Sequence, residues 1–175
     1  ELAPDGKGGT TANYSRGLCG TEEKWERWIE DNAPAFERFA ENAPKFYKRL
    51  FTEYGERIYP IGFAAPGLFE NAWQPMGFVE FTRFVFEKPD FIRRLVAFHT
   101  EFLLKHLEAV MQSGTEVVLM GDDLGQKTGP MMRPQLIEDF FGEGYRRAAF
   151  SHRSQDRHHS ITLVNPVLVF KFVLK

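Results

Sequence analysis

The sequence predicts an α/β fold in which parallel strands are joined by long helical crossovers. Two observations carry that expectation. Two short apolar runs, residues 57–64 and 116–120, are bounded by glycine or proline and are too short to be helices. Around them, apolar residues recur at three- and four-residue spacings over long stretches. Strands separated by such crossovers pair in parallel and carry their helices outside.

The chain has 175 residues, enough for one domain with a core. Residues 1–20 read as a flexible loop, 21–150 as the folded domain and 151–175 as an atypical tail. Gly6, Gly8, Gly9, Gly17 and Gly20 stand among small polar residues in the first segment. Thr21, followed by Glu22 and Glu23, is a helix start: a hydroxyl cap, then acids at the positive end of the dipole. Helices are expected from there to about Asp31, and from about Pro34 to Tyr54 with a break or kink near Pro44. Phe36, Phe39, Phe46, Leu50 and Tyr54 share helical spacing in the second, and Gly55 reads as its left-handed terminator.

Arg57 to Ala64 is expected to be a buried strand, although Pro60 lies inside it. Residues 68–77 read as a turn or short helix, and Phe78, Phe81, Val85 and Phe86 as a helix ending before Pro89. The clearest helix runs from Pro89 to Ser113. Proline suits its first turn, and Ile92, Leu95, Val96, Leu103, Leu107 and Val110 make one stripe. Glu116 to Met120 reads as a fully buried parallel strand. Gly121 to Arg133 is then a polar loop, and Pro134 opens a helix to about Ala149.

Composition narrows the function classes. A net charge of -2 gives no reason to bind nucleic acid or an acidic membrane. The 18 phenylalanines read as core rather than as a stacking surface, because basic residues are not interleaved with them. Cys19 is the single cysteine, which excludes an internal disulfide and suggests a reducing, cytoplasmic setting. No signal peptide or membrane-spanning stretch is read from the sequence. The chain opens on Glu1 rather than Met, so its natural start is expected upstream.

Ligands of parallel α/β folds bind at the carboxyl ends of the strands. Two loops hold that position, Ala65 to Asn71 and Gly121 to Gln126. Asp122 and Asp123 follow the second strand directly. Adjacent carboxylates there would hold a metal, orient a cationic ligand or act in proton transfer. The alternative is that Asp122 braces the loop while Asp123 faces solvent. Glu70 would join from the neighbouring loop, or serve only as an acid in the first turn of a short helix. Arg133 would bind a carboxylate near the mouth, or lie solvated. His99 and His106, seven apart, lack the three- or four-residue spacing of a helical metal pair and read as partly buried, hydrogen-bonded side chains. His152, His158 and His159 with Asp156 have no recognised ligand spacing. Cys19 reads as an exposed bystander, and Met131 and Met132 as packing under the loop.

Ile61 to Ala64, Phe69-Glu70, Gly77-Phe78 and Lys88-Pro89 resemble the middle of uroporphyrinogen decarboxylase-like proteins. So do Gly114, Val117-Val118, Gly-Asp-Asp-Leu-Gly-Gln at 121–126, Gly129, Pro134 to Leu136 and Tyr145. The resemblance spans roughly residues 20–150 and implies part of a TIM (β/α)8 barrel, which needs about 250 residues in full. It extends to the corrinoid methyltransferase-like superfamily. One branch decarboxylates a tetrapyrrole without a cofactor; the other moves methyl groups between a corrinoid partner and a thiol, using zinc. The substrate-holding aspartate and arginines of the first would precede residue 1. The His and Cys ligands of the second would largely follow residue 150, so neither a metal ligand nor a cofactor is assigned here.

The resemblance leads to a site with Asp122 and Asp123 as catalytic residues and Glu70, Gln126 and Arg133 as substrate-binding ones. Decarboxylases carry Glu-Ser or similar where this chain has Asp122-Asp123. An ionised Asp123 would repel a substrate carboxylate, which favours the methyltransferase-like branch. The expected partners are a tetrapyrrole, or a methyl donor with its corrinoid protein, and a homodimer of the full-length parent. The chain alone is expected to be inactive. The other reading is a degenerate, non-catalytic α/β module that binds a protein through an apolar face. The segment from Phe150 departs from the family pattern, and its expected origin is a frameshift, a read-through or a truncation. Its apolar stretch from Ile161 to Leu174 would be an aggregation risk if it lacked a partner.

Overall fold

A computed structural model of the chain describes residues 17–59, 61–64, 66–115, 117–125 and 128–150, and the backbone alone of 2–4, 10–12, 126 and 160–164. In order, the elements are β1 (Leu2–Pro4), β2 (Thr10–Ala12), α1 (Glu22–Tyr54), β3 (Gly62–Ala64), α2 (Leu68–Trp73), α3 (Phe78–Glu87), α4 (Pro89–Met111), β4 (Val117–Gly121), β5 (Gly125–Gln126), β6 (Gly129–Pro130), α5 (Pro134–Phe150) and β7 (Ser160–Val164). The expected α/β character with parallel strands is present. β3, β4 and β7 form one sheet in that order, and both pairings are parallel.

Helix α4 is the spine. Pro89 occupies its first turn, and the expected stripe is buried from Phe91 to Val110. It packs against α1, α2, α3, α5 and the sheet. Each fully buried Leu or Ile on this face contributes about 1.5–3 kcal/mol relative to exposure.

Helix α1 corrects two expectations. It begins at the expected cap, where the Thr21 hydroxyl accepts the Lys24 N–H at 3.3 Å. It then runs unbroken to Tyr54 with Pro34 and Pro44 inside. Intrinsic propensity argues for breaks at both, but packing on α4 outweighs it. Phe36 meets Phe98 and Phe102 with ring centroids 5.3 and 5.2 Å apart, and Phe39 meets Phe102 at 5.2 Å. Further along, Tyr47 Oη and His106 Nε2 lie 2.8 Å apart, so His106 is hydrogen-bonded as expected. Gly55 has a right-handed φ of -60° rather than a left-handed one. The turn simply continues, with the Arg57 and Ile58 N–H groups donating to the Tyr54 carbonyl.

That continuation shortens the first strand. Among the described residues of the expected 57–64, only Gly62–Ala64 pair, and Ile58 and Tyr59 are exposed. Two further segments differ. β1 and β2 pair antiparallel within the stretch expected to be loop, with Gly6, Gly8 and Gly9 between them in sequence. The polar loop after β4 contains the short antiparallel pair β5–β6, closed by the Met131 N–H donating to the Leu124 carbonyl. Met132 is buried and Met131 packs on the core, as expected.

Among the described residues of β3 and β4 one face is buried and the other is not, which corrects the expectation of a fully buried strand over 116–120. Side chains alternate along a strand. Val118 and Met120 are fully buried, with Gly62 and Ala64 beside them, while Val117 and Leu119 are half-buried. Phe63, paired with Leu119, is 57% exposed. Gly62 marks how closely α4 approaches: a Cβ there would meet Val110 Cγ1 at 2.2 Å. The segment 160–164 has a partner in β4, whereas residues 151–159 and 165–175, with His152, His158, His159 and Asp156, lie outside the described residues.

Gly62→Ala is expected to destabilise the fold by about 1–3 kcal/mol through overpacking against the stiff Val110 side chain. Adding Val110→Ala makes room, so the double variant should lose less than the sum of the two single changes. Urea unfolding of the four proteins measures this, and strict additivity would rule out the contact.

Candidate functional site

At the carboxyl end of β4 the chain turns sharply inward and then outward. Asp122 is 3% exposed, and Asp123, next to it, is exposed. A buried carboxylate is tolerated when donors satisfy both oxygens. Asp122 Oδ2 accepts the Phe69 N–H at 2.8 Å and the Tyr145 hydroxyl at 2.6 Å, while Oδ1 accepts the Glu70 N–H at 3.0 Å. The two backbone donors belong to the first turn of α2, where helical N–H groups have no partner within the helix. Gly67, at the N-cap position, has no side chain to supply one. Asp122 reaches across from β4 and caps α2 in its place.

Two glycines permit this approach. A Cβ on Gly67 would lie 2.3–2.4 Å from the Asp122 side chain. A Cβ on Gly144 would meet Leu68 Cδ1 at 2.6 Å and Thr100 Oγ1 at 2.7 Å. The carboxylate therefore ties β4, α2 and α5 together. Burial pushes the Asp122 carboxyl up to about 6, against the opposing pull of its three donors. The Tyr145 hydroxyl is pushed well up by its own burial and by the Asp122 charge.

Glu70 and Asp123 form the outer edge. Glu70 Oε2 accepts the Asp123 N–H at 3.3 Å and Oε1 accepts from Gln74 Nε2 at 2.9 Å. Burial raises the Glu70 carboxyl; the Asp123 N–H opposes the rise and the Asp123 charge adds to it. Asp123 Oδ1 accepts the Gly125 N–H at 3.4 Å. The three carboxylates singled out from sequence thus share one strand end, in unequal settings. Asp122 spends its acceptors on the scaffold, which fits a brace rather than a group that touches a ligand.

Gln126 stands in β5, and its side chain lies outside the described residues. Arg133 is exposed just before α5, and among the described residues its guanidinium makes no hydrogen bond or ion pair with these carboxylates. The residue missing from the sequence-based site is Tyr145. Its signal was available in the notch between Gly142 and Gly144, where a helix that gives up side-chain volume twice is approached closely.

Cys19 is buried at 2% exposure, not exposed as expected, because its backbone N–H donates to the Pro75 carbonyl and draws the segment onto the core. Burial pushes its thiol up, with the Lys24 charge opposing, which works against the thiolate a metal ligand needs. No group of three or more His, Cys, Asp or Glu side chains among the described residues is arranged to hold a metal ion. The described donors therefore do not fit the zinc implied by the methyl-transfer resemblance. His99 differs from expectation: it is buried, its Nε2 has no hydrogen-bond partner among the described residues, and burial lowers its pKa to about 4. No described helix is long and apolar enough to cross a membrane.

Protein-family models, curated proteins and solved structures yield no match to this chain.

The brace makes a signed pH prediction. The folded chain binds the Asp122 proton more tightly than the unfolded chain, whose carboxyl stays near 3.8. A penalty for the buried charge is therefore present above pH 6, eases as pH falls through 6, and is gone below about 4. Relative to Asp122→Asn, the wild-type chain should gain about 2–3 kcal/mol between pH 7 and pH 4. Denaturant unfolding across that range measures the difference, and a flat difference would mean that Asp122 does not titrate there. Tyr145→Phe should cost about 1–3 kcal/mol at pH 7, because it removes a donor to a buried charge.

Proposed function

We propose that the chain is part of a (β/α)8 barrel resembling uroporphyrinogen decarboxylase and the corrinoid methyltransferases, and that Glu70 and Asp123 form its ligand-facing edge. The observation that carries this reading is the order β3–β4–β7. The strands lie side by side in chain order, all parallel, with helical crossovers between them. A barrel wall is built in that way, as is each half of a doubly wound sheet, and the resemblance decides for the barrel. The acidic edge stands at the carboxyl end of β4, where barrels of this kind hold their ligands.

In this reading Asp122 is a positioning residue. By capping α2 it fixes the first turn that carries Glu70. Glu70, whose carboxyl is raised above the ordinary carboxylate range by burial, is the group placed to exchange a proton with a ligand. Asp123 supplies an exposed negative charge that disfavours substrates rich in carboxylates. That supports methyl transfer over tetrapyrrole decarboxylation, with a corrinoid or its carrier protein as the partner. No step through zinc is derived, since the described donors do not fit one. With most of the barrel wall outside this chain, catalysis by the chain alone is not expected. The exposed Phe63 face favours a second reading, a non-catalytic module that binds a protein partner.

Uroporphyrin and hydroxocobalamin binding, followed by fluorescence quenching, tests the proposal. Glu70→Gln should weaken hydroxocobalamin binding about tenfold through loss of a charge-assisted hydrogen bond. Asp123→Asn should strengthen uroporphyrin binding by about the same factor by removing repulsion. Both variants should unfold like the parent. A monomeric, cooperatively unfolding chain that binds neither probe would sink the enzyme reading and leave the module.

A further inference from the structure

The seam between α1 and α4 is not filled throughout. A cavity of about 230 Å³ lies there, walled by Phe36, Phe39 and Ala40 of α1 and by Phe98 and Phe102 of α4. All five residues are half-buried. The volume lies below the roughly 300–1,000 Å³ of a site for a drug-sized ligand. It suits a compact ligand with an apolar body. A protein partner would need about 800 Å² of surface on each side.

One wall of the cavity carries a bare acceptor. Pro44 stands inside α1 and has no N–H. The Ala40 carbonyl, four residues earlier, therefore loses the donor that an uninterrupted helix would give it, and the proline ring crowds it. The nearby Arg38 carbonyl accepts from Asn42 Nδ2 at 2.8 Å, but among the described residues no side chain donates to the Ala40 carbonyl. A half-buried carbonyl in that state calls for a donor. Packing on α4 explains how α1 tolerates Pro44. A proline that costs helix stability and frees a carbonyl at a cavity wall is suited to holding a ligand.

Glu37, Glu101 and Lys105 also line the cavity. Glu101 is held by Arg147 at 2.6 Å. Glu37 and Lys105 are exposed, and among the described residues neither makes an ion pair or a side-chain hydrogen bond. An unengaged acid, an unengaged base and a bare carbonyl thus surround an aromatic well. A ligand ammonium would be met by the Glu37 carboxylate, the Ala40 carbonyl and the ring faces. A ligand carboxylate would be met by Lys105. An apolar amine would leave Lys105 repelling it, and an apolar acid would leave Glu37 repelling it. A zwitterion with an apolar body satisfies both.

We propose that the α1–α4 cavity binds a free α-amino acid with an apolar side chain. The side chain enters between the phenylalanines. The ammonium donates to the Ala40 carbonyl and to Glu37, and the carboxylate accepts from Lys105. The proposal stands on α1 and α4 alone, independently of the family resemblance.

Equilibrium dialysis of radiolabelled L-phenylalanine against the full chain tests it. Saturable binding with a Kd of about 1 mM or tighter is expected. 2-Phenylethylamine, which lacks the carboxylate, and 3-phenylpropanoate, which lacks the ammonium, should each compete about tenfold less well. Lys105→Met should weaken L-phenylalanine binding about tenfold and should not weaken 2-phenylethylamine. Pro44→Ala returns an N–H to the Ala40 carbonyl. It should weaken binding by about the same factor while raising the unfolding temperature, so that lost binding cannot come from lost structure. A folded chain with no saturable uptake would overturn the proposal. So would analogues that compete as well as L-phenylalanine, or Pro44→Ala or Lys105→Met chains that bind it as the parent does.

Discussion

A carboxylate taken out of water must find donors for both oxygens, and Asp122 finds three. Two are backbone N–H groups at the start of α2, and the third is the Tyr145 hydroxyl on α5. The direction of α2 depends on this bond set, because Gly67 offers no cap of its own. The seat of α5 depends on it through Tyr145 and through the notch at Gly144. Removing one partner would leave a buried charge or an orphaned donor, each costing more than the net worth of the bond itself. The brace also explains why glycines recur around it. At Gly67 and Gly144 any Cβ would occupy space already held by Asp122, or by Leu68 and Thr100.

The rest of the core is organised by α4, which presents different chemistry on different sides. Toward the sheet it offers Val110 and its neighbours, packed so closely that residue 62 has to be glycine. Toward α1 it offers Phe98, Phe102 and His106, met by Phe36 and Phe39 in edge-on and tilted ring contacts and by Tyr47 stacked on His106. This aromatic seam keeps a helix with two internal prolines continuous where the local sequence opposes it. Around the same helix, ion pairs lie on the outside: Arg94 and Lys88 both reach Glu22, and Arg147 reaches Glu101. Such exposed pairs add little stability, so the seam carries α1.

What was legible in the sequence follows from which forces are local. The α4 stripe, α3, α5 and β4 were readable because periodic burial is written directly into residue spacing. The acidic strand end was readable because polar residues after an apolar run mark the carboxyl rim. Pro34 and Pro44 misled because their preference is local, whereas the packing that overrides it comes from α4, far away in sequence. Gly55 misled because a turn can continue right-handed where a left-handed cap is also allowed. Cys19 looked exposed among glycines because no local pattern announces its hydrogen bond to Pro75. The one-sided burial of β3 and β4 was hidden because an unbroken apolar run such as residues 117–120 does not say how many layers cover it.

Asp122 and Asp123 show how one chemical motif divides into two roles. Successive side chains at a strand end point to opposite sides, so adjacent identical residues meet different surroundings. The first turns toward α2 and α5, is desolvated, and has its pKa raised even while three donors hold it. The second turns away into water, beside Glu70, whose carboxyl the Asp123 charge helps to raise. Had the doublet stood one residue later, no carboxylate would have faced Tyr145, and α2 would have lost its cap. The identity of the two residues is thus less informative than their register relative to β4. That register also separates what the two carboxylates do in the fold: Asp122 holds α2 and α5 together, while Asp123 stays at the exposed edge beside Glu70.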